Sequence, residues 1–144
     1  MKLEPLTEQN ISYVFGRLWM PLKRELRIFN VSIEERKEDF LFMIGKPFTG
    51  AVLDSANTPC ALIALKPIGQ LKWKAHFATT EEGFNRVWVS LSRFLLKFSD
   101  ELEKDSGKIQ ICSAFGDGKP REWFETMGFS YRGFQGPFHY YWKG

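Results

Sequence analysis

The stretch REWFETMGFSYRGF, residues 121–134, decides how the chain must fold. Residues 121–127 read as a short helix, Gly128 as its left-handed stop, and Phe129 as the apolar side chain that drops into a core where a strand begins. With FHYYWKG following at 138–144, the spacing predicts a hairpin over 129–134 and 138–142. Working backwards, FGDGKP at 115–120 reads as a turn, and 108–114 as the strand that leads into it. Further upstream, Phe84, Val87, Trp88, Leu91, Phe94, Leu95, Phe98 and Leu102 recur at helical spacing and predict a long helix over 81–104.

Ahead of that helix the chain alternates and turns. Strands are expected over 49–54, 59–66 and 71–78, divided by SANTP and by residues 67–70, and they read as an antiparallel meander. At the N-terminus a short strand over 2–6 precedes Thr7, which can cap a helix over 8–18 whose Ile11, Val14, Phe15 and Leu18 share a face. Ser32 with Glu35 three residues later is a capping-box signature for a second helix running to about residue 44. Residues 20–30 show no clear period and are assigned to no element. The expected order is βααβββαβαββ in a single domain, residues 1–144: an α+β (α/β) fold with a mixed, mostly antiparallel sheet flanked by helices.

The composition excludes several classes. With 144 residues, 44% apolar and 26% charged, the chain is long enough to bury a core and too apolar for disorder. The aliphatic run at 61–65 is far too short to span a bilayer, and MKLEPLTEQN has no apolar signal segment, so a cytoplasmic protein without a membrane partner is expected. Twenty basic and 17 acidic residues alternate along the sequence, so no specific nucleic-acid partner is expected. Cys60 and Cys112 sit among apolar neighbours with no metal-ligand spacing, and both read as buried free thiols, with no metal site. The aromatic share is 16%, with 14 Phe and 5 Trp. Phe134, Phe138, Tyr140, Tyr141 and Trp142 crowd one hairpin, and period-two alternation cannot send all of them to one core face, so an interaction surface is expected there.

The element order resembles the GNAT family of N-acetyltransferases across essentially the whole chain. LEPLTEQNISYVF at 3–15 is similar to the family's first strand and helix, and REWFETMGFSYRGF to its last short helix, Gly-Phe and following strand. The resemblance implies acetyl-CoA, whose pyrophosphate the family holds on bare amides of a Gln/Arg-x-x-Gly-x-Gly/Ala loop between the fourth strand and the long helix. Here that place reads ATTEEGFNRVW, residues 78–88. Gly83 alone remains of the glycines, Thr79 and Glu82 stand at capping-box spacing, and Glu81 and Glu82 add negative charge, so acetyl-CoA is expected to bind poorly and no cofactor is the first expectation. If it does bind, the candidate residues are Ala78, Thr79, Thr80, Gly83 and Asp117, the last standing where the family often has an Asn against the pantetheine arm.

The resemblance also implies a base on the fourth strand and a Tyr acid on the last short helix. The strand LKWKAHFA carries no carboxylate, which leaves His76 as the candidate base, since imidazole titrates near neutral pH. The Tyr position is Phe124, which has no proton to give. These departures, with Trp73, Thr79, Thr80, Trp88, Ser92, Lys97, Phe98, Trp123 and FHYYWKG, resemble GNAT-like internal virion or virion-assembly proteins of short-tailed bacteriophages. That likeness implies a non-catalytic interaction or virion-assembly protein, in the host cytoplasm or with the virion, with a protein partner or self-association. The alternative is an acetyl-CoA-dependent N-acyltransferase with an unconventional cofactor loop, acting on an amine or protein amino group.

Overall fold

The computed structural model describes residues 1–28, 30–115, 119–135 and 138–143. Their elements are β1 (Lys2–Glu4), α1 (Glu8–Gly16), α2 (Met20–Ile28), α3 (Ile33–Phe42), β2 (Thr49–Leu53), β3 (Pro59–Gly69), β4 (Lys72–Thr79), α4 (Phe84–Ser106), β5 (Gln110–Phe115), α5 (Lys119–Thr126), β6 (Ser130–Gln135) and β7 (Phe138–Lys143). The strands form one seven-stranded sheet in the order β1-β2-β3-β4-β5-β7-β6, in which β4 and β5 pair in parallel and the outer pairs are antiparallel. This is the mixed, mostly antiparallel α+β fold the sequence predicts, with one helix more than expected. Residue contacts divide the chain into two compact units, Met1–Ala64 with Phe77–Leu91, and Leu65–His76 with Ser92–Gly144.

In the first unit, the local signals act as read. Thr7 caps α1 in a reciprocal box: its hydroxyl accepts from the Asn10 amide at 3.1 Å, and its own amide donates to Asn10 Oδ1 at 2.9 Å. Ser32 accepts from the Glu35 amide at 3.0 Å at the start of α3. Ile11, Val14 and Phe40 are fully buried, and the Phe15 and Phe40 rings lie 5.7 Å apart. Two expectations change. Helix α1 ends at Gly16, and Leu18 instead makes an antiparallel bridge to Thr80. The segment over 20–30 is helical from Met20 to Ile28: Pro21 sits in the first turn, where its missing N–H leaves no bond unmade, and Leu22 and Leu26, one turn apart, are buried.

The second unit bears out the reading of residues 121–134. Gly128 takes φ +91°, its amide donates to Glu125 O at 3.0 Å, and the Phe129 amide donates to Phe124 O at 3.0 Å. That pair of bonds is the Schellman helix stop, and the Phe124 and Phe129 rings, 5.4 Å apart, supply the apolar contact that accompanies it. In the β6–β7 hairpin, Tyr141 is 0% exposed and stacks on Phe124 with centroids 4.7 Å apart. Phe134, by contrast, is 71% exposed beside a bulge where Gly133 takes φ +100°. Tyr141 is therefore a core ring and unavailable to an interaction surface, whereas Phe134 faces solvent. The side chain of Phe138 lies outside the described residues.

Candidate functional site

The candidate residues fall in two places. Ala78 and Thr79 end β4, and Thr80 and Gly83 form the turn into α4, all four buried within the first unit. His76 lies half-buried on β4 in the second unit. Asp117 lies outside the described residues.

The turn into α4 is held by the chain itself. The Thr80 amide donates to Cys60 O at 3.0 Å, the Glu81 amide to Arg17 O at 2.9 Å, the Phe84 amide to Thr80 O at 3.0 Å, and the Arg86 amide to Gly83 O at 3.0 Å. The Gly83 amide donates to Thr80 Oγ1 at 2.9 Å. The capping residue is thus Thr80, and Thr79, expected in that role, has a buried hydroxyl with no hydrogen-bond partner among the described residues. The shift has a cause: β4 continues through Thr79, whose carbonyl accepts from the Trp19 amide at 2.9 Å, so the turn begins one residue later.

Gly83 also has a packing reason to be glycine. A Cβ there would lie 2.7 Å from Thr80 Oγ1, 2.8 Å from Cys60 Cβ and 2.9 Å from Cys60 O. The space a side chain would need is filled by this chain's own atoms. Charge is committed as well: Glu81 Oε2 accepts from the Met20 amide at 2.8 Å, so its carboxylate caps the N-terminus of α2. Arg86, the basic side chain in the first turn of α4, reaches Asp54 at 3.8 Å. Asp54 in turn accepts from the Thr58 and Ala56 amides, at 3.0 and 2.9 Å, and these bonds, with the Arg86 charge, hold its carboxyl below the usual range.

The arrangement does not fit a bound pyrophosphate: the amides of Thr80, Glu81, Gly83, Phe84 and Arg86 already donate within the chain, and the Glu81 carboxylate stands beside them. The parallel ladder pairs Lys72↔Gln110 to Lys74↔Cys112, Ser113 Oγ donates to Ala75 O at 3.4 Å, and β5 is paired to β7 as far as Phe115. At the end of β4 the Thr79 carbonyl is taken by the Trp19 amide, and Leu18 bridges to Thr80.

Elsewhere, Phe124 is 0% exposed in the core of the second unit. His139 Nδ1 lies 2.8 Å from the Tyr131 hydroxyl, which gives it a structural partner in the hairpin. Cys60 and Cys112 are free and buried, and burial pushes both thiols up. Among the described residues no group of three or more His, Cys, Asp or Glu could hold a metal ion, and no helix is long and apolar enough to cross a membrane. Sequence reasoning missed Arg17, Trp19, Met20 and Phe84, which close the turn through contacts distant in sequence.

No protein-family model and no curated protein sequence matches the chain. Solved structures do. An aminoglycoside 6'-acetyltransferase of type Ii superposes with TM-score 0.68 at 18% identity, over 99% of this chain and 96% of the other. An acetyltransferase of the GNAT family from Bacillus anthracis gives 0.66 at 14% identity, over 97% and 90%. A variant of the spermidine N-acetyltransferase of Vibrio cholerae gives 0.65 at 14% identity, over 99% and 92%. The chain has the acetyltransferase fold. At these identities the likeness speaks for architecture, and the reaction must be argued from the site.

Proposed function

We propose that this chain is an N-acyltransferase of the acyl-CoA class whose cofactor loop is unconventional. The observation that carries the reading is the fold itself, shared over 97–99% of the chain with solved acetyltransferases. His76, half-buried on β4, is the candidate base for an attacking amine. Because the α4 turn does not fit the donor's pyrophosphate, no step of transfer is assigned to that turn.

A second reading has its own supporting observation. Phe124 is buried and stacked on Tyr141, so no proton donor stands where the family carries its Tyr, and the amides of Thr80, Glu81, Gly83 and Phe84 are engaged internally. On that reading the fold is a scaffold for a protein partner or for self-association, the role the phage-type resemblance implies. The test is thiol release from acetyl-CoA in the presence of a polyamine, an aminoglycoside or a peptide amine. Acceptor-dependent release at least 100-fold above buffer, lost in a folded His76→Ala variant, supports the acyltransferase. Release no faster than buffer with every acceptor refutes it and leaves the scaffold reading.

A further inference from the structure

The segment from Arg17 to Met20 lies across the turn where α4 begins, and each of its residues is fastened there. Arg17 O accepts the Glu81 amide, Leu18 bridges to Thr80, the Trp19 amide donates to Thr79 O, and the Met20 amide donates to Glu81 Oε2. The Trp19 ring covers the first residue of the helix, stacked on Phe84 with centroids 3.7 Å apart and planes 16° apart, and Trp88 closes edge-on at 4.9 Å from Phe84. Trp19 and Phe84 are both buried, so this strap is part of the core and not a loop lying on it.

An anion reaching the start of a helix needs N–H groups that are otherwise solvated. Here Glu81 N, Gly83 N and Phe84 N each have a protein acceptor at 2.9 to 3.0 Å, and the Trp19 indole is stacked on the Phe84 ring at the first residue of the helix. Displacing the strap would strip Met20 N of its carboxylate cap and expose two stacked rings. A diphosphate would also meet Glu81, whose charge is fixed at this spot by its bond to Met20.

We infer that the Arg17–Met20 strap closes the N-terminus of α4 to a nucleotide diphosphate, so that an acyl donor is recognised by its acyl-pantetheine portion alone. The inference rests on the acyltransferase reading for its second half, and on the strap alone for its first. It makes the donor class an acyl-pantetheine thioester, whether free or carried on a larger molecule, with the nucleotide end of CoA contributing nothing to affinity.

Two measurements on the intact chain separate the halves. The first compares the dissociation constants of acetyl-CoA and S-acetylpantetheine by calorimetry. A ratio under tenfold is expected, and tighter binding of acetyl-CoA by tenfold or more overturns the inference. The second follows the backbone amide signals of Thr80, Glu81, Gly83 and Phe84 by NMR as 3'-phospho-ADP is added to 2 mM. Unmoved signals are expected, and saturable shifts at these amides overturn the closure. If neither thioester binds at millimolar concentration, the acyltransferase reading falls and takes the donor assignment with it, while the amide titration still judges the closed turn.

Discussion

Replacing Gly83 by Ala asks what the glycine is for. Its φ lies outside the left-handed region, so the backbone itself admits alanine and the cost is one of space. The added methyl would stand 2.7 Å from Thr80 Oγ1, 2.8 Å from Cys60 Cβ and 2.9 Å from Cys60 O, distances at which something must move. Two of the three neighbours belong to Cys60, whose carbonyl is tied to the Thr80 amide, so the easier escape is for Thr80 to swing away and give up its bond to the Gly83 amide. Overpacking of this kind costs roughly 1–3 kcal/mol and a lost cap about 1 kcal/mol, against a gain of at most about 1 kcal/mol from removing a flexible residue. The net expectation is a destabilisation of about 2 kcal/mol, read by urea unfolding, or a melting point lower by ~8 °C for a chain of this size. Gly16, at the end of α1, is the matched control: nothing lies within 4 Å of its Cβ position, and Gly16→Ala should stabilise by about 0.5–1 kcal/mol. A Gly83→Ala protein within 0.5 kcal/mol of wild type would refute the packed turn. A glycine kept for the close approach of a ligand would show that pattern, with melting unchanged and binding lost.

Other substitutions follow from burial and charge. Leu91→Ala, at a fully buried position on α4, should cost about 2–5 kcal/mol in urea unfolding, whereas Phe94→Ala, at a half-buried one, should cost less. Tyr141→Ser should lower the melting point steeply while Phe134→Ser leaves it unchanged, and loss of self-association in the Phe134 variant alone would mark the exposed ring as a contact. Asp54 has a carboxyl pKa held down by the Thr58 amide first, then by the Ala56 amide and Arg86. Its contribution to stability is therefore complete above the unfolded-chain value of about 4 and lost as pH falls through the lower folded value. Asp54→Asn should flatten the fall of stability in that acid window, and an unchanged slope would show that the loop bonds do not set it.

The fold was legible wherever a signal is local. Thr7 with Asn10, Ser32 with Glu35, and Gly128 before Phe129 each state a helix end within four residues, and each end is built as read. The helix from Met20 to Ile28 escaped because it is short, with two buried leucines one turn apart among charged residues, and no capping residue stands before it in sequence. Its cap is not in its neighbourhood at all. Glu81 supplies it from 61 residues away, and no window along the chain can show that.

The same reason hides the site. Thr79-x-x-Glu82 satisfies the spacing rule for a helix cap, yet Thr80 is the residue that caps, because the length of β4 is fixed by pairings that a local rule does not see. The glutamates at 81 and 82 read as obstacles to an anion, which is true of their charge but misses the use of Glu81, which is to start α2. Gly83 read as the remnant of a phosphate loop, and its glycine is accounted for by Cys60 and Thr80. One principle connects the three. A residue type that suits a ligand also suits the chain's own backbone, since amide donors, carboxylate acceptors and bare glycines bond to whatever is nearest. Sequence shows which groups are present at the start of α4, and only the contacts from Cys60, Thr80 and the Arg17–Met20 segment show that the Thr80, Glu81, Gly83 and Phe84 groups already have partners.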